Sequence, residues 1–571
     1  MTKGDPVISV LMPAFNEGRH ICRNLEETVA ALRALGKSWE IVVVDDGSTD
    51  ETWEEAQRAA RRFPEIKVVG SSGNRGKGWA VRRGFSRCRG ELVFFLDSDL
   101  DIHPRQFRSL LDILENDRVD IVIGAKRHPA STVNYPPARR AISAGYFFLV
   151  KLLFGLPLRD TQTGIKLFRR RALESVLPRV MVKKYAFDLE LLVAAHVCGF
   201  AIAEAPVVVD LKGKFGRVGA HAIWTMLIDT LAVFYRLRIL GYYGRTLFVP
   251  ASYPPVSVVV AYRRRNPYLE ECLRHLEKLN YPDFEVILLP DERESFPGPW
   301  RVIPTGPVSP PRKRDLGWKS ARGEIVAFID DDAFPDEEWL RNAVRRFAEP
   351  GVAAVGGPGT TPENDSRNRK AGGRVLASLL VGGVHAFRVI PRIPRDVDDY
   401  PTFNLLVKKT VLEEIGGFDC PWWPGEDTVL CLKIRESGGR IVYDPDVEVR
   451  HHRRPLFRPH WRQFASYGLH RGYFVRKFPA TSRRLNYFLP SIWLLFLAGG
   501  WLPALIVPWW KFVWAVPAAL YLGAAFLSAA RYLFDPPTAA MVLAGIVTTH
   551  AVYGWAFLRG LLASRMPEEE G

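Results

Sequence analysis

Residues 89–99 read RGELVFFLDSD and residues 322–332 read RGEIVAFIDDD, so seven of eleven positions coincide at an offset of 233. A fainter echo links VISVLMPAFNE at 7–17 with VSVVVAYRRRN at 256–266, at offset 249. One unit of about 230 residues is therefore present twice, and whatever fold the first copy adopts the second must also satisfy. Within a copy, short apolar runs rich in β-branched residues, such as Ile41–Val44 and Leu92–Leu96, alternate with helical-period stretches such as Glu51–Arg62. Continuous apolar runs bounded by turns read as strands buried on both faces, and their alternation with helices predicts an α/β, Rossmann-like, mostly parallel sheet in each copy. In open sheets of this kind ligands bind beyond the carboxyl ends of the strands, which is where both Asp-x-Asp triplets stand.

The chain ends differently. Residues 485–559 are almost continuously apolar, with candidate spans near 488–508, 512–533 and 538–558 separated by Pro508-Trp509-Trp510-Lys511 and Asp535-Pro536-Pro537. Each is about 20 residues long, the length a helix needs to cross ~30 Å of hydrocarbon. The 35 residues just before them, Arg450–Arg484, hold ten Lys or Arg and no Asp or Glu, more than half of the net charge of +16. Basic residues flanking apolar spans point to a membrane surface and exclude nucleic acid as the partner. The six cysteines form no CxxC pair, which fits buried thiols in a reducing compartment. No apolar leader precedes the first polar residues, so no cleavable signal peptide is expected and the soluble units are placed in the cytoplasm, anchored to the cell (inner or plasma) membrane by several passes. The expected domains are 1–245, 252–484 and a membrane segment at 485–571.

Asp97 and Asp99 follow four apolar residues and face a loop. Carboxylates two apart at a strand end offer oxygen ligands to Mg²⁺ or Mn²⁺, which in turn binds phosphate oxygens. Pro13-Ala14-Phe15-Asn16-Glu17 ends the first strand and Val44-Asp45-Asp46-Gly47-Ser48 the second, while Gly73-Asn74-Arg75-Gly76-Lys77-Gly78 is a basic, glycine-rich loop of the sort that approaches phosphate closely.

In their order, PAFNE, VVVDDGSTD, GNRGKG and DSD resemble the family 2 inverting glycosyltransferases of the GT-A fold. GAKRHPAS at 124–131, DTQTGIKLFRR at 160–170 and YAFDLELL at 185–192 are similar to the dolichyl- or polyprenyl-phosphate glucose and mannose synthases among them, over about residues 7–240. The resemblance implies that Pro13, Phe15, Glu17, Val44 and Asp46 hold the base and ribose of a nucleotide sugar of the UDP-glucose or GDP-mannose type. It assigns Asp97 and Asp99 to the metal and diphosphate, with Asp101, often Gln in the mannose synthases, as a further ligand. Lys77, Lys126 (where the family has Arg) and Arg217 (where it has Lys) keep positive charge for phosphate. Asp188 and Glu190 are expected near the acceptor or sugar, or else as helix-surface charges. A lipid phosphate is already an anion, so such a site needs positioning and charge neutralisation more than a base. Two apolar stretches, Ala141–Gly155 and Ala220–Leu240, are expected to lie in the membrane interface, with core packing, or a true span in 220–240, as the alternatives.

In the second copy Asp330-Asp331-Asp332 repeats the metal motif, giving Asp330 and Asp332 as ligands, with His451 or His452 either completing the set or serving a structural or lipid-phosphate role. Asn404, Gly416-Gly417-Phe418-Asp419 and Gly425-Glu426-Asp427 resemble the acceptor half of membrane-bound family 2 transferases that build exported polysaccharide. That resemblance makes Asp427, beside Glu426, the base that deprotonates a sugar hydroxyl. The nucleotide half is altered, with Ala261-Tyr262-Arg263-Arg264-Arg265-Asn266 in place of an Asn-Glu turn and Leu289-Pro290-Asp291-Glu292 in place of DDGS, leaving Asp291 for the base. The Gln-x-x-Arg-Trp signature of processive synthases is absent, since His460-Trp461-Arg462-Gln463 only shuffles its letters. The expectation is a two-headed, membrane-anchored hexosyltransferase. The first head would act on polyprenyl phosphate and the second on a glycan or lipid-linked hydroxyl. One head serving as a scaffold, or a non-catalytic membrane adaptor that kept the fold, are the alternatives.

Overall fold

The computed structural model describes residues 5–70, 73–133, 137–210, 220–244, 250 and 252–566. The chain divides into two compact units, 1–247 and 248–571. Each has its own sheet and core, and the α/β, mostly parallel architecture predicted from the repeat is the one observed.

In the first unit seven strands lie in the order Ile66–Gly70, Trp39–Asp45, Ile8–Ala14, Leu92–Leu96, Ile165–Arg169, Ile121–Ala125, Ile202–Pro206. Their side chains are apolar on both faces because helices cover both faces, and Ile8, Val10, Ile41, Val43 and Phe94 are fully buried. All pairings are parallel except those of Ile165–Arg169, which runs antiparallel to both neighbours. That reversed strand matters for the site. Its register sets Leu96 opposite Ile165, and the next step brings the Asp97 N–H to the Gly164 carbonyl at 3.1 Å. A Cβ on Gly164 would lie 2.3 Å from Asp97 Oδ2, so a glycine is required for the carboxylate to sit there.

The second unit repeats this order with one more edge strand: Arg301–Val302, Phe284–Leu289, Val256–Ala261, Ile325–Asp330, Asn404–Lys408, Val352–Gly356, Arg440–Tyr443, Arg395–Val397. Asn404–Lys408 is the antiparallel counterpart of Ile165–Arg169. A small second sheet pairs Ala333 with His451, which draws that histidine back to the Asp330–Asp332 turn.

Among the described residues three helices are long and apolar enough to cross a membrane, Leu485–Leu505, Trp510–Ala530 and Pro536–Leu562, and they pack as part of the second unit. The last lies along the helix Arg458–Lys477 with backbones in close approach. A Cβ on Gly472 would meet the Phe557 carbonyl at 2.1 Å, and one on Gly560 would meet the Leu469 carbonyl at 1.9 Å. His460 and Trp461 donate or share hydrogen bonds with Thr549 and Thr548 at 2.9 and 3.0 Å, so these shuffled signature letters serve docking between helices. The basic block is only partly a surface feature: Arg471 is tied to Asp399, Arg484 to Asp398, and Arg453 to the Gly359 carbonyl. In the first unit the helices Pro137–Phe154 and Ala220–Phe234 expose Phe148, Leu152, Trp224 and Leu231.

Candidate functional site

The first site forms where strands Ile8–Ala14, Trp39–Asp45 and Leu92–Leu96 end, with Pro13 opposite Val44. Asn16 adopts φ 57°, its N–H donating to Ser48 Oγ at 2.9 Å and its side chain accepting from the Thr49 N–H at 2.9 Å. The Glu17 N–H donates to Thr52 Oγ1 at 2.7 Å, so the PAFNE and DDGST turns are stitched together while Phe15 stays exposed. Asp46 orients the glycine-rich loop, accepting from the Arg75 N–H at 2.8 Å and the Gly76 N–H at 2.7 Å. Gly47 makes this closeness possible, because at φ 74° its missing Cβ would stand 2.4 Å from Gly73 backbone.

Lys77 opens the helix Lys77–Phe85 and bridges two carboxylates, with Nζ 2.9 Å from Asp97 Oδ1 and 3.1 Å from Asp188 Oδ2. The other oxygen of Asp188 is 2.7 Å from the buried Lys166 Nζ, which also donates to the Thr163 carbonyl at 2.5 Å. Burial alone would raise the Asp188 pKa, but Lys166 and Lys77 hold it at about 2. The same contacts hold Lys77 above its ordinary value against the cost of burial. Asp99 behaves oppositely: lost hydration in the cleft and the Asp97 charge push it up to about 6. Glu17 is raised by burial and by Asp99, Asp50 and Asp101, so acidic groups from three turns face one another. The Asp101 N–H donates to Asp99 Oδ1 at 3.1 Å, and the Asp101 carbonyl accepts from the Asp210 N–H at 2.8 Å. Lys126 turns to the 160–162 loop, donating from Nζ to the Gln162 carbonyl at 3.0 Å. Arg217 lies outside the described residues. Glu190 corrects its expected place near acceptor or surface. It is fully buried, accepts from the Met181 and Val182 N–H groups at 2.7 and 2.6 Å, and is paired with Arg236 and Tyr243.

The second site is built on the equivalent strand ends. Arg314 sends one arm to Asp330 Oδ1 at 2.9 Å and the other to Glu426 Oε1 at 2.8 Å. It therefore does for Asp330 and Glu426 what Lys77 does for Asp97 and Asp188. At the repeat offset Lys77 corresponds to Pro310, and Arg314 stands four residues further on, one helical turn along the same face of Pro310–Ser320. Letter-by-letter alignment misses it for that reason. The residue next to Glu426 is Asp427, whereas the residue next to Asp188 is the buried Leu189. Asp427 accepts from Thr402 Oγ1 at 2.7 Å and, through burial and the adjacent Glu426, is pushed up to about 8.

His451 Nε2 lies 3.1 Å from Asp332 Oδ1, and ligand atoms of Asp330, Asp332 and His451 all fall within 4.8 Å of one another. Among the described residues this is the one such triad; Asp97, Asp99 and Asp101 do not converge to that degree. Two carboxylates and an imidazole fit Mg²⁺ or Mn²⁺. His452 faces away, bonded to Asp365 at 2.7 Å and Glu271 at 3.0 Å. Asn404 is a core residue whose amide donates to the Gly357 and Val447 carbonyls, both at 2.6 Å. Asp291 is held by the buried Lys313, whose ammonium also donates to the Tyr262 carbonyl at 2.6 Å. A cavity of about 1310 Å³ opens on Arg314, Asp330, Asp332, Glu426, Asp427 and His451.

The family described as Glycosyl transferase family 2 matches residues 9–177 and 257–416, one segment in each unit. A dolichyl-phosphate beta-glucosyltransferase of Trichomonas vaginalis, ALG5C, is 34% identical over 239 residues, covering 40% of this chain and 71% of that protein. The dolichyl-phosphate beta-glucosyltransferase of Saccharomyces cerevisiae is 31% identical over 220 residues, covering 35% of this chain and 66% of its own. Among solved structures, the mannosyltransferase PcManGT of Pyrobaculum calidifontis, in complex with GDP-Man and Mn²⁺, matches at a TM-score of 0.34 and 22% identity, covering 60% of this chain and 98% of that one.

Proposed function

Because the chain belongs to glycosyl transferase family 2, we propose that its two units perform two different sugar transfers at a membrane. The first moves a hexose from a nucleotide sugar of the UDP-glucose or GDP-mannose type to a polyprenyl phosphate, with inversion. The second moves a sugar to a hydroxyl of a glycan or lipid-linked acceptor. The observation that carries this reading is the contrast between Asp188, pinned by two ammoniums and held at about 2, and Asp427, touched by one hydroxyl and pushed up to about 8. A phosphate acceptor arrives ionised and needs no proton acceptor, so a carboxylate that cannot take a proton is no handicap. A hydroxyl needs one. The names of the relatives, dolichyl-phosphate glucosyltransferases, support the lipid acceptor.

In the first unit Pro13, Phe15, Glu17, Val44 and Asp46 frame the nucleoside, and Asp97 and Asp99 hold a divalent cation with Asp101 beside them. Such a cation supplies charge neutralisation to the departing diphosphate. Lys77 is already held at Asp97 and meets the same diphosphate, with Asp188 and Lys166 fixing its position; Lys126 and Arg217 add positive charge. In the second unit Asp330, Asp332 and His451 form the corresponding set and Asp291 is assigned to the base. Asp427 takes the hydroxyl proton as the oxygen attacks C1, and the C1–oxygen bond to the diphosphate breaks with its electron pair.

Membranes carrying the protein, given labelled UDP-glucose or GDP-mannose and polyprenyl phosphate, are expected to form an organic-extractable, acid-labile product. Asp99→Ala abolishes it and Asp427→Asn does not, while the second product shows the reverse dependence. Undiminished lipid product from Asp99→Ala would overturn the assignment. One observation favours a single active head: Lys313 occupies Asp291, and Arg263–Arg265 replace the Asn-Glu turn. On that reading Asp427→Asn removes no product at all.

A further inference from the structure

We infer that the second unit takes its acceptor from the bilayer as an amphiphile: a sugar joined through a phosphate or diphosphate to a long apolar tail. This rests on the reading of Asp427 as the base for a hydroxyl acceptor. The cavity of about 1310 Å³ does not stop at the carboxylates. Its wall holds Glu426 and Asp427, Arg388 and Arg471, then Leu489 and Ile492 on the first apolar helix, Tyr521 on the second and Tyr553 on the third, and Arg471 stands between the two ends, bonded to Thr428 Oγ1 at 3.2 Å and stacked over the Tyr487 ring at 4.7 Å. All three candidate membrane helices thus line a space that also reaches the reacting groups. Its volume exceeds the roughly 300–1,000 Å³ of a usual small-molecule site, leaving room for a sugar, a head group and the start of a tail.

The chemistry is ordered along the cavity. At the reacting end sit acids and a base suited to a hydroxyl and a cation. At the waist Arg388 and Arg471 share one carboxylate, Asp399, leaving one positive charge in excess between them. The Arg388 Nε is buried with no hydrogen-bond partner, as is the Arg453 Nε on the same cavity wall, whereas buried donors are as a rule paired. An anionic head at that point would meet a planar donor suited to phosphate oxygens. Beyond the waist the wall is apolar and aromatic, and Leu379 and Val384, both largely exposed, extend the apolar lining on its outer side. Base, then cation, then hydrocarbon is the order of sugar hydroxyl, phosphate and tail in a lipid-linked sugar. A glycan alone would leave the apolar end without a purpose.

The test uses the full chain in phosphatidylcholine nanodiscs and amide hydrogen exchange over residues 378–389 and 485–493. Farnesyl diphosphate at four times its Kd is expected to slow exchange there about fivefold. Farnesol and inorganic pyrophosphate, each alone, are expected to leave it unchanged, and Ile492→Trp is expected to abolish the protection while melting as the parent does without probe. Equal protection by pyrophosphate would make the waist a free-anion site, equal protection by farnesol would make the cavity merely apolar, and protection by a soluble oligosaccharide would make it a glycan path. Each overturns the inference, as does unaltered protection in Ile492→Trp or none from farnesyl diphosphate. Failure of the underlying reading appears separately, as a second product that survives Asp427→Asn.

Discussion

At the level of single residues, the two units differ most in how they treat one carboxylate. Asp188 is buried between Lys77 and Lys166, so Asp188→Asn leaves two buried ammoniums short of a counter-charge. Breaking a buried ion pair from one side costs about 3 kcal/mol, and a lower melting temperature in detergent is the expected readout. The pH dependence follows from the sign of the shift. The folded pKa of about 2 lies below the ordinary 3.8, so the stabilisation is fully present above the ordinary value and is lost as pH falls through the folded one. The melting gap between parent and Asp188→Asn should therefore close on acidification toward pH ~2. Asp427 carries the opposite prediction. A base pushed up to about 8 is ionised only above that value, so formation of the second product should rise with pH until about 8 and then level off, while the lipid product shows no such rise. Much of the first site was legible in the sequence because the turns that carry it are contiguous: PAFNE, DDGS and DSD each end a strand. Lys166, Lys313 and Thr402 were not, because a buried lysine, whether inside an apolar strand like Lys166 or on a basic helix like Lys313, or a threonine in a loop carries no local signal of its partner.

Among the elements, the helix Arg458–Lys477 shows how much a charge count leaves unsaid. From composition it reads as a cationic face for the bilayer, yet Arg471 is tied to Asp399 and two glycines of the same helix pack against Pro536–Leu562. Acidic partners seventy or more residues away in sequence are invisible to a local window. The buried strands, by contrast, followed from apolar runs and the repeat, because a buried parallel strand has only one pattern to show, whereas their order in the sheet did not. The glycine contacts give an element-scale prediction. Gly472→Leu must displace the Phe557 backbone, since even a Cβ would meet its carbonyl at 2.1 Å. Overpacking of this kind costs about 1–3 kcal/mol, read as a lowered melting temperature of the detergent-solubilised chain, whereas a leucine at Gly523, where nothing lies within 4 Å, should leave it unchanged.

For the molecule as a whole, the two units carry separate cores, and the three apolar helices belong to the second. A protease site introduced between residues 247 and 252 should therefore yield two fragments that part on different terms. High salt or alkaline carbonate is expected to release the first, whose described residues include no helix long and apolar enough to cross a membrane, whereas the second should need detergent. Recovery of both fragments in the same extract would refute this. The displaced cation has a consequence for anyone recombining the halves. Lys77 and Arg314 occupy different positions of equivalent helices but reach equivalent carboxylates. A chimera joined inside the helix, between the aligned positions of Lys77 and Arg314, would carry both cations or neither against one pair of carboxylates. The helix that carries the cation is thus a piece that can be exchanged whole but not cut.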